Sequence, residues 1–139
     1  MKTLFIGLIA AGMLMSACNQ SGKGSTTVNT ANAENAPVIK FEKETYDFGK
    51  IKTGDLVSYD FKFKNNGKSP LIIIDAIATC GCTKPVWPTT PVKPGESGAI
   101  HVTFNSAAKM GLQDKMITVT ANTIPSQHMV HLIGEVTIK

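Results

Sequence analysis

Val57-Ser58-Tyr59-Asp60-Phe61-Lys62-Phe63-Lys64 alternates apolar and polar residues without a break. A period of two places Val57, Tyr59, Phe61 and Phe63 on one face and Ser58, Asp60, Lys62 and Lys64 on the other. The segment is therefore a strand with one buried face, and it needs partner strands to cover that face. Asn65-Asn66-Gly67 follows with residues that tolerate positive φ, and Pro70 blocks an immediate helix. Leu71-Ile72-Ile73-Ile74 is a continuous apolar run that predicts a strand covered on both sides. Val92-Lys93-Pro94-Gly95-Glu96 places Pro and Gly as a type II turn prefers them. After that turn Ile100, Val102 and Phe104 alternate with His101, Thr103 and Asn105.

More strands are predicted near Val38–Phe41, near Tyr46–Ile51, after Cys82, over Met116–Asn122 and over His128–Ile138. About seven or eight short strands in roughly a hundred residues, with no sustained helical period, predict an all-β antiparallel sandwich over residues 37–139. No two cysteines are spaced to bridge its sheets, and Trp87 sits beside Pro88 in a loop-like context. The core must then be held by aliphatic and Phe packing.

The amino end is of another kind. Lys2 precedes an apolar run, Leu4 to Met15, that ends in Met15-Ser16-Ala17-Cys18. A basic start, a short apolar stretch and small residues at a cut site make a secretory signal over residues 1–17. The run falls short of the roughly 20 residues a membrane span needs. A cysteine directly after the small pair resembles the lipobox of bacterial lipoproteins, which implies lipidation of Cys18. Two or more acyl chains anchor stably, at about 0.8 kcal/mol per buried methylene. The first partner expected is therefore a membrane, reached through the lipid on Cys18. Asn19, in place of the Asp that retains many Gram-negative lipoproteins at the inner membrane, points to the periplasmic face of the outer membrane. Residues 19–36 hold one large apolar residue, Val28, and no periodicity. With Cys18 they are expected to be a tether that cannot bury enough surface to order itself, with a mean reach of about 24 Å.

Charge narrows the partners further. All fourteen basic residues are Lys, and no Arg is present. Without residues 1–17, thirteen Lys against ten acids leave a net charge of +3, scattered along the chain. Nucleic-acid contact calls for clustered basic residues, usually with Arg, so no nucleic-acid partner is expected. There is no His-Glu-x-x-His, no Gly-rich phosphate loop opening a helix and no local Ser, His and acid signature. An enzyme is not expected, and no cofactor is called for.

Thr79-Cys80-Gly81-Cys82-Thr83-Lys84-Pro85 is the one stretch whose composition asks for a chemical explanation. In an extended chain, residues two apart point to the same side. A Cys80–Cys82 disulfide suits an oxidising envelope, although two Cα atoms so placed lie near the upper limit of disulfide geometry. A soft two-thiolate site for Cu(I) is a second chemistry. A fuller metal site would have to recruit His101, His128, His131 or Met, and His128 and His131 face opposite ways in a strand. The third is two small, soft side chains packed at a sheet end.

Tyr46-Asp47-Phe48-Gly49-Lys50-Ile51, Phe63-Lys64-Asn65-Asn66-Gly67, Cys80-Gly81-Cys82-Thr83, Trp87-Pro88, Pro94-Gly95-Glu96, Val102-Thr103-Phe104-Asn105, Val119-Thr120-Ala121-Asn122 and Gly134 together resemble a bacterial family of domains of unknown function. That family is common in secreted and lipid-anchored proteins of Bacteroidetes. The likeness runs from Phe41 to Val136. It implies an immunoglobulin-like fold akin to the Hydin and major-sperm-protein sandwiches, and it implies no activity. Two functions follow as expectations. One is a non-enzymatic interaction module in the cell envelope that binds an envelope protein, with sheet edges as the means. The other is a thiol/disulfide or copper-handling role for Cys80 and Cys82.

Overall fold

The computed structural model describes residues 33–138, so Cys18, residues 1–17 and most of the expected tether lie outside the described residues. Eight strands follow in order: β1 (Ile39–Phe41), β2 (Thr45–Lys52), β3 (Leu56–Asn65), β4 (Ile73–Ala78), β5 (Thr83–Val86), β6 (Ser97–Asn105), β7 (Gly111–Ala121) and β8 (Gln127–Thr137). They form two four-stranded sheets, β1-β3-β6-β5 and β2-β8-β7-β4. The chain is an all-β, immunoglobulin-like sandwich. All pairs are antiparallel except β2 with β8, which runs parallel.

The alternation in β3 survives intact: Val57, Phe61 and Phe63 are buried, while Ser58, Asp60, Lys62 and Lys64 are exposed. Its neighbour in the same sheet, β6, buries Ile100, Val102 and Phe104 in the same rhythm. The second sheet supplies Ile117, Val119, Val130 and Leu132, all fully buried. Each such side chain contributes about 1.5–3 kcal/mol by leaving water. Phe63 is directly opposite Gly98, and a Cβ on Gly98 would come within 2.6 Å of the Phe63 ring. The missing side chain on β6 is thus what makes room for that ring in the core.

Phe48 enters the core by a similar device. The β2–β8 register shifts between Asp47 and Lys50, where Gly49 has φ +70° and its N–H bonds the Asp47 carboxylate at 2.8 Å. A bulge of this kind re-aims a side chain. Phe48 thereby covers Gly134, whose added Cβ would run into the ring, and packs 5.7 Å from the Phe104 ring.

Two segments depart from the sequence reading. The run Leu71–Ile74 is not a strand covered on both sides. Leu71 makes an isolated bridge to Val92, β4 begins at Ile73, and Ile72 and Ile74 are exposed at 42% and 60%. The reason is position, since β4 is an edge strand whose outer face no third layer covers. β7 begins at Gly111 rather than Met116, and its extra residues pair with Leu132–Val136 of β8. The polar Gln113-Asp114-Lys115 hid that extension from a hydrophobic pattern.

One end of the sandwich is closed by a single side chain. Asn65 is fully buried. Its Oδ1 accepts from the Val38 and Gly67 N–H groups at 3.3 and 2.9 Å, and its Nδ2 donates to the Ser69 and Val92 carbonyls at 2.8 and 3.0 Å. Its own N–H and C=O bond Glu96 and Gly95. Asn35 and Ala36, the last residues of the expected tether, already lie here. The Asn35 carbonyl accepts from Ser69, and the Ala36 main chain passes so close to Gly67 that a Cβ there would collide with it.

Candidate functional site

The opposite end holds the cysteines, at the corner where the chain leaves one sheet for the other. Thr79 N–H makes the last bond to the β7 sheet, to the Met116 carbonyl at 3.0 Å. Thr83 N–H then bonds the Cys80 carbonyl at 3.1 Å, closing a turn, and Asn105 N–H takes the Cys82 carbonyl at 2.9 Å into the β6 sheet. The turn brings the two Cα atoms to 5.3 Å, and Cys80 is joined to Cys82 by a disulfide. That spacing is near the commonest for a disulfide, so an extended chain was the wrong premise for expecting a stretched bridge.

Both cysteines are half-buried and Gly81 is exposed at the apex. The Thr83 hydroxyl is buried beneath them, 3.8 Å from each sulfur. A ring of three residues removes little disorder from the unfolded chain, worth about 1–2 kcal/mol against several for long loops. The hydrogen bond from Thr83 to Cys80 already holds the same turn. As a staple the bond adds little.

Beside it lies a cleft of about 490 Å³, lined by Thr103 and Asn105 of β6 together with Cys82, Lys84, Lys109 and Leu56. No acidic residue lines it. Among the described residues no carboxylate forms an ion pair with Lys84 or Lys109, whereas Lys50 pairs with Glu135 at 3.1 Å. A third cation stands nearby on β7, since Lys115 lies 5.4 Å above the Phe104 ring. Desolvation pulls its ammonium below the ordinary lysine range, the Lys109 charge adds to that, and Asp114 opposes it. The cleft lining itself thus carries two cations and no acid.

The loop carrying Lys109 is held firmly. Ser106 is buried, and its hydroxyl sits 3.0 and 2.8 Å from the Lys52 and Asp55 carbonyls. Asn105 caps the Ala107 N–H at 2.9 Å. Ala108 takes φ +57°, a left-handed conformation that costs a non-glycine residue about 1–2 kcal/mol.

The histidines are placed apart from the cysteines. His101 meets Asp60 at 2.6 Å, His131 meets Asp114 at 2.8 Å, and His128 Nε2 meets the Thr123 hydroxyl at 2.8 Å. Thr123 donates to the Pro125 carbonyl, so it accepts from His128 Nε2–H. Burial pulls His128 below the ordinary imidazole range, while a backbone bond to Pro125 and the Glu44 charge act against that. Among the described residues no three His, Cys, Asp or Glu side chains gather as a metal site. No described helix is long and apolar enough to cross a membrane. Sequence reasoning found the cysteines through their spacing but missed the cleft. Lys84 follows Cys82 by two residues, yet Lys109 arrives from a separate turn, and no local signal links them.

A family model described as "Protein of unknown function (DUF1573)" matches residues 39–136. No curated protein matches the chain. Among solved structures, a protein of unknown function from Porphyromonas gingivalis W83 superposes with a TM-score of 0.65 at 16% identity, over 77% of this chain and 51% of that one. The ASH / PapD-like domain 7 of human CEP192 gives 0.57 at 9% identity, over 76% and 89%. The secreted serine protease VesC from Vibrio cholerae gives 0.56 at 11% identity, over 78% of this chain and 25% of the protease. The chain thus spans about half the length of the Porphyromonas protein and a quarter of the protease. At such identities the likeness is one of fold.

Proposed function

The chain belongs to the DUF1573 family of proteins of unknown function, and from that premise we propose that it is a lipid-anchored envelope protein whose sandwich binds an extended segment of an envelope partner without catalysing a reaction. The anchor is the lipid on Cys18, on the periplasmic face of the outer membrane, as the lipobox-like Met15-Ser16-Ala17-Cys18 and Asn19 suggest. Replacing Cys18 with Ser should release the protein from the membrane fraction.

The observation that carries the binding reading is the unequal protection of the four sheet edges. Native edges are blunted by shortness, Lys, Pro or bulges. β1 has three residues and Lys40, β5 has four residues with Lys84 and Pro85, and β2 has a bulge with Lys50 and Lys52. β4 shares the bulge device only at its start, where the register shifts between Ile73 and Asp75, and has neither Lys nor Pro, so residues 75–78 run on regularly as an open edge. It instead exposes Ile74 and Ile77 at 60% and 61%, with exposed Met129 two strands further in, in register with Ile77 through Thr118. Such an edge suits strand addition, in which main-chain bonds give affinity and alternate side chains give specificity. Only Asp75, whose carboxylate holds the Ala76 N–H at 2.8 Å, would have to yield.

The test is photocrosslinking in intact cells from a probe at Ile77. One discrete envelope protein should be trapped, with crosslinks mapping to an extended segment of it. With the probe kept at Ile77, Ile74→Lys should abolish the capture, and Cys80→Ser with Cys82→Ser should leave it unchanged. Efficient crosslinking that returns only monomer would refute the reading.

A further inference from the structure

We propose that the Cys80–Cys82 disulfide is an exchange site, reduced by a protein dithiol whose attacking cysteine is flanked by acidic side chains. Access supports this first. Gly81 is exposed, a Cβ added to it would meet nothing within 4 Å, and Cys82 forms part of the cleft wall. An incoming sulfur has an open route to the bond. Electrostatics supports it second, because Lys84 and Lys109 border that route with no acid among the lining residues. Positive charge draws in a thiolate and stabilises a thiolate that leaves, and exchange accelerates as the leaving thiol becomes more acidic. Third, the buried Thr83 hydroxyl sits 3.8 Å from both sulfurs, positioned to donate to whichever one becomes an anion. Accessible disulfides that add little to folding are the ones that switch.

The step balances without another reactant. A thiolate of the partner attacks Cys82 Sγ, a mixed disulfide forms, and Cys80 leaves as a thiolate beside Thr83. The second partner thiolate then attacks its own half of the mixed bond and releases Cys82. Two electrons pass to this chain, the partner dithiol becomes a disulfide, and the two thiol protons of the partner end on Cys80 and Cys82. The proposal stands apart from strand addition at β4. Loss of exchange in the double Ser variant with capture at Ile77 intact separates the two.

The test uses the full chain in detergent micelles and a synthetic Cys-x-x-Cys peptide flanked by Glu, beside the same peptide flanked by Gln. Thiol alkylation followed by mass measurement reads the rate. The Glu peptide should reduce the native disulfide about tenfold faster than the Gln peptide at low salt, a typical size for charge steering. Lys84→Glu with Lys109→Glu should abolish that advantage. A Glu-flanked Cys-x-x-Ser peptide should become trapped on Cys82. A bond that opens only in urea, equal rates for both peptides, trapping on Cys80, or unfolding of the double Ser variant would each overturn the proposal.

Discussion

Asn65 and Cys82 mark opposite ends of one sandwich, about 30 Å apart along β3 by strand rise. At the first end every polar atom of the Asn65 side chain points inward and is used. Two acceptor positions and two donors meet four main-chain groups drawn from segments up to 27 residues away. At the second end Lys84 and Lys109 border an open cleft, and a half-buried disulfide lies along its wall. The first end uses its polar chemistry to define the fold. The second leaves chemistry available to a partner, which is the usual sign of a site placed on a rigid scaffold.

Removing a polar group at each end should break the two unequally. Asn65→Ala strands the Val38 and Gly67 N–H groups and two carbonyls, each of which costs about 1–3 kcal/mol when left buried and unpaired. Part of that is recovered as water enters, so urea unfolding should show a loss of roughly 2–4 kcal/mol. The matched change Asn105→Ala, at an exposed residue whose one side-chain bond caps Ala107, should cost about 0.5–1.5 kcal/mol. Equal losses would erase the distinction between the ends.

A smaller effect follows from His128, which with Thr123 lies on the Asn65 side of the molecule, in the β7–β8 hairpin. Its folded proton affinity is lowered, chiefly by burial, so the unfolded chain binds the proton more readily. Stability from this group is therefore complete above the ordinary imidazole value of about 6.5 and is lost as pH falls through that value towards the folded one. Urea midpoints taken from pH 8 to pH 5 should drop more for the native protein than for His128→Gln. Parallel curves would remove His128 from the account.

Much of this was legible in the residues, for physical reasons. β3 and β6 bury one face against a second sheet, so their period of two is written in the sequence. β4 was misread because a run of Leu and Ile records strand propensity and not the number of covering layers. Asn65 looked like a turn residue, since a sequence does not say that Val38, Ser69 and Val92 converge on one amide. The cysteines stood out by spacing, whereas the cleft beside them is assembled from β3, β5, β6 and the loop after Ser106. The edge of β4 was equally hidden, because edge protection is a comparison among strands that only the topology permits.

Amide hydrogen exchange on the full chain, before and after reduction of the disulfide, tests the contrast between the ends most directly. The account predicts faster exchange confined to Thr79–Thr83 and to the loop from Asn105 to Lys109, with protection at Asn65, Gly67 and Val92 unchanged. Loosening that spreads to the Asn65 end would show that the disulfide holds the whole sandwich together, and would contradict it.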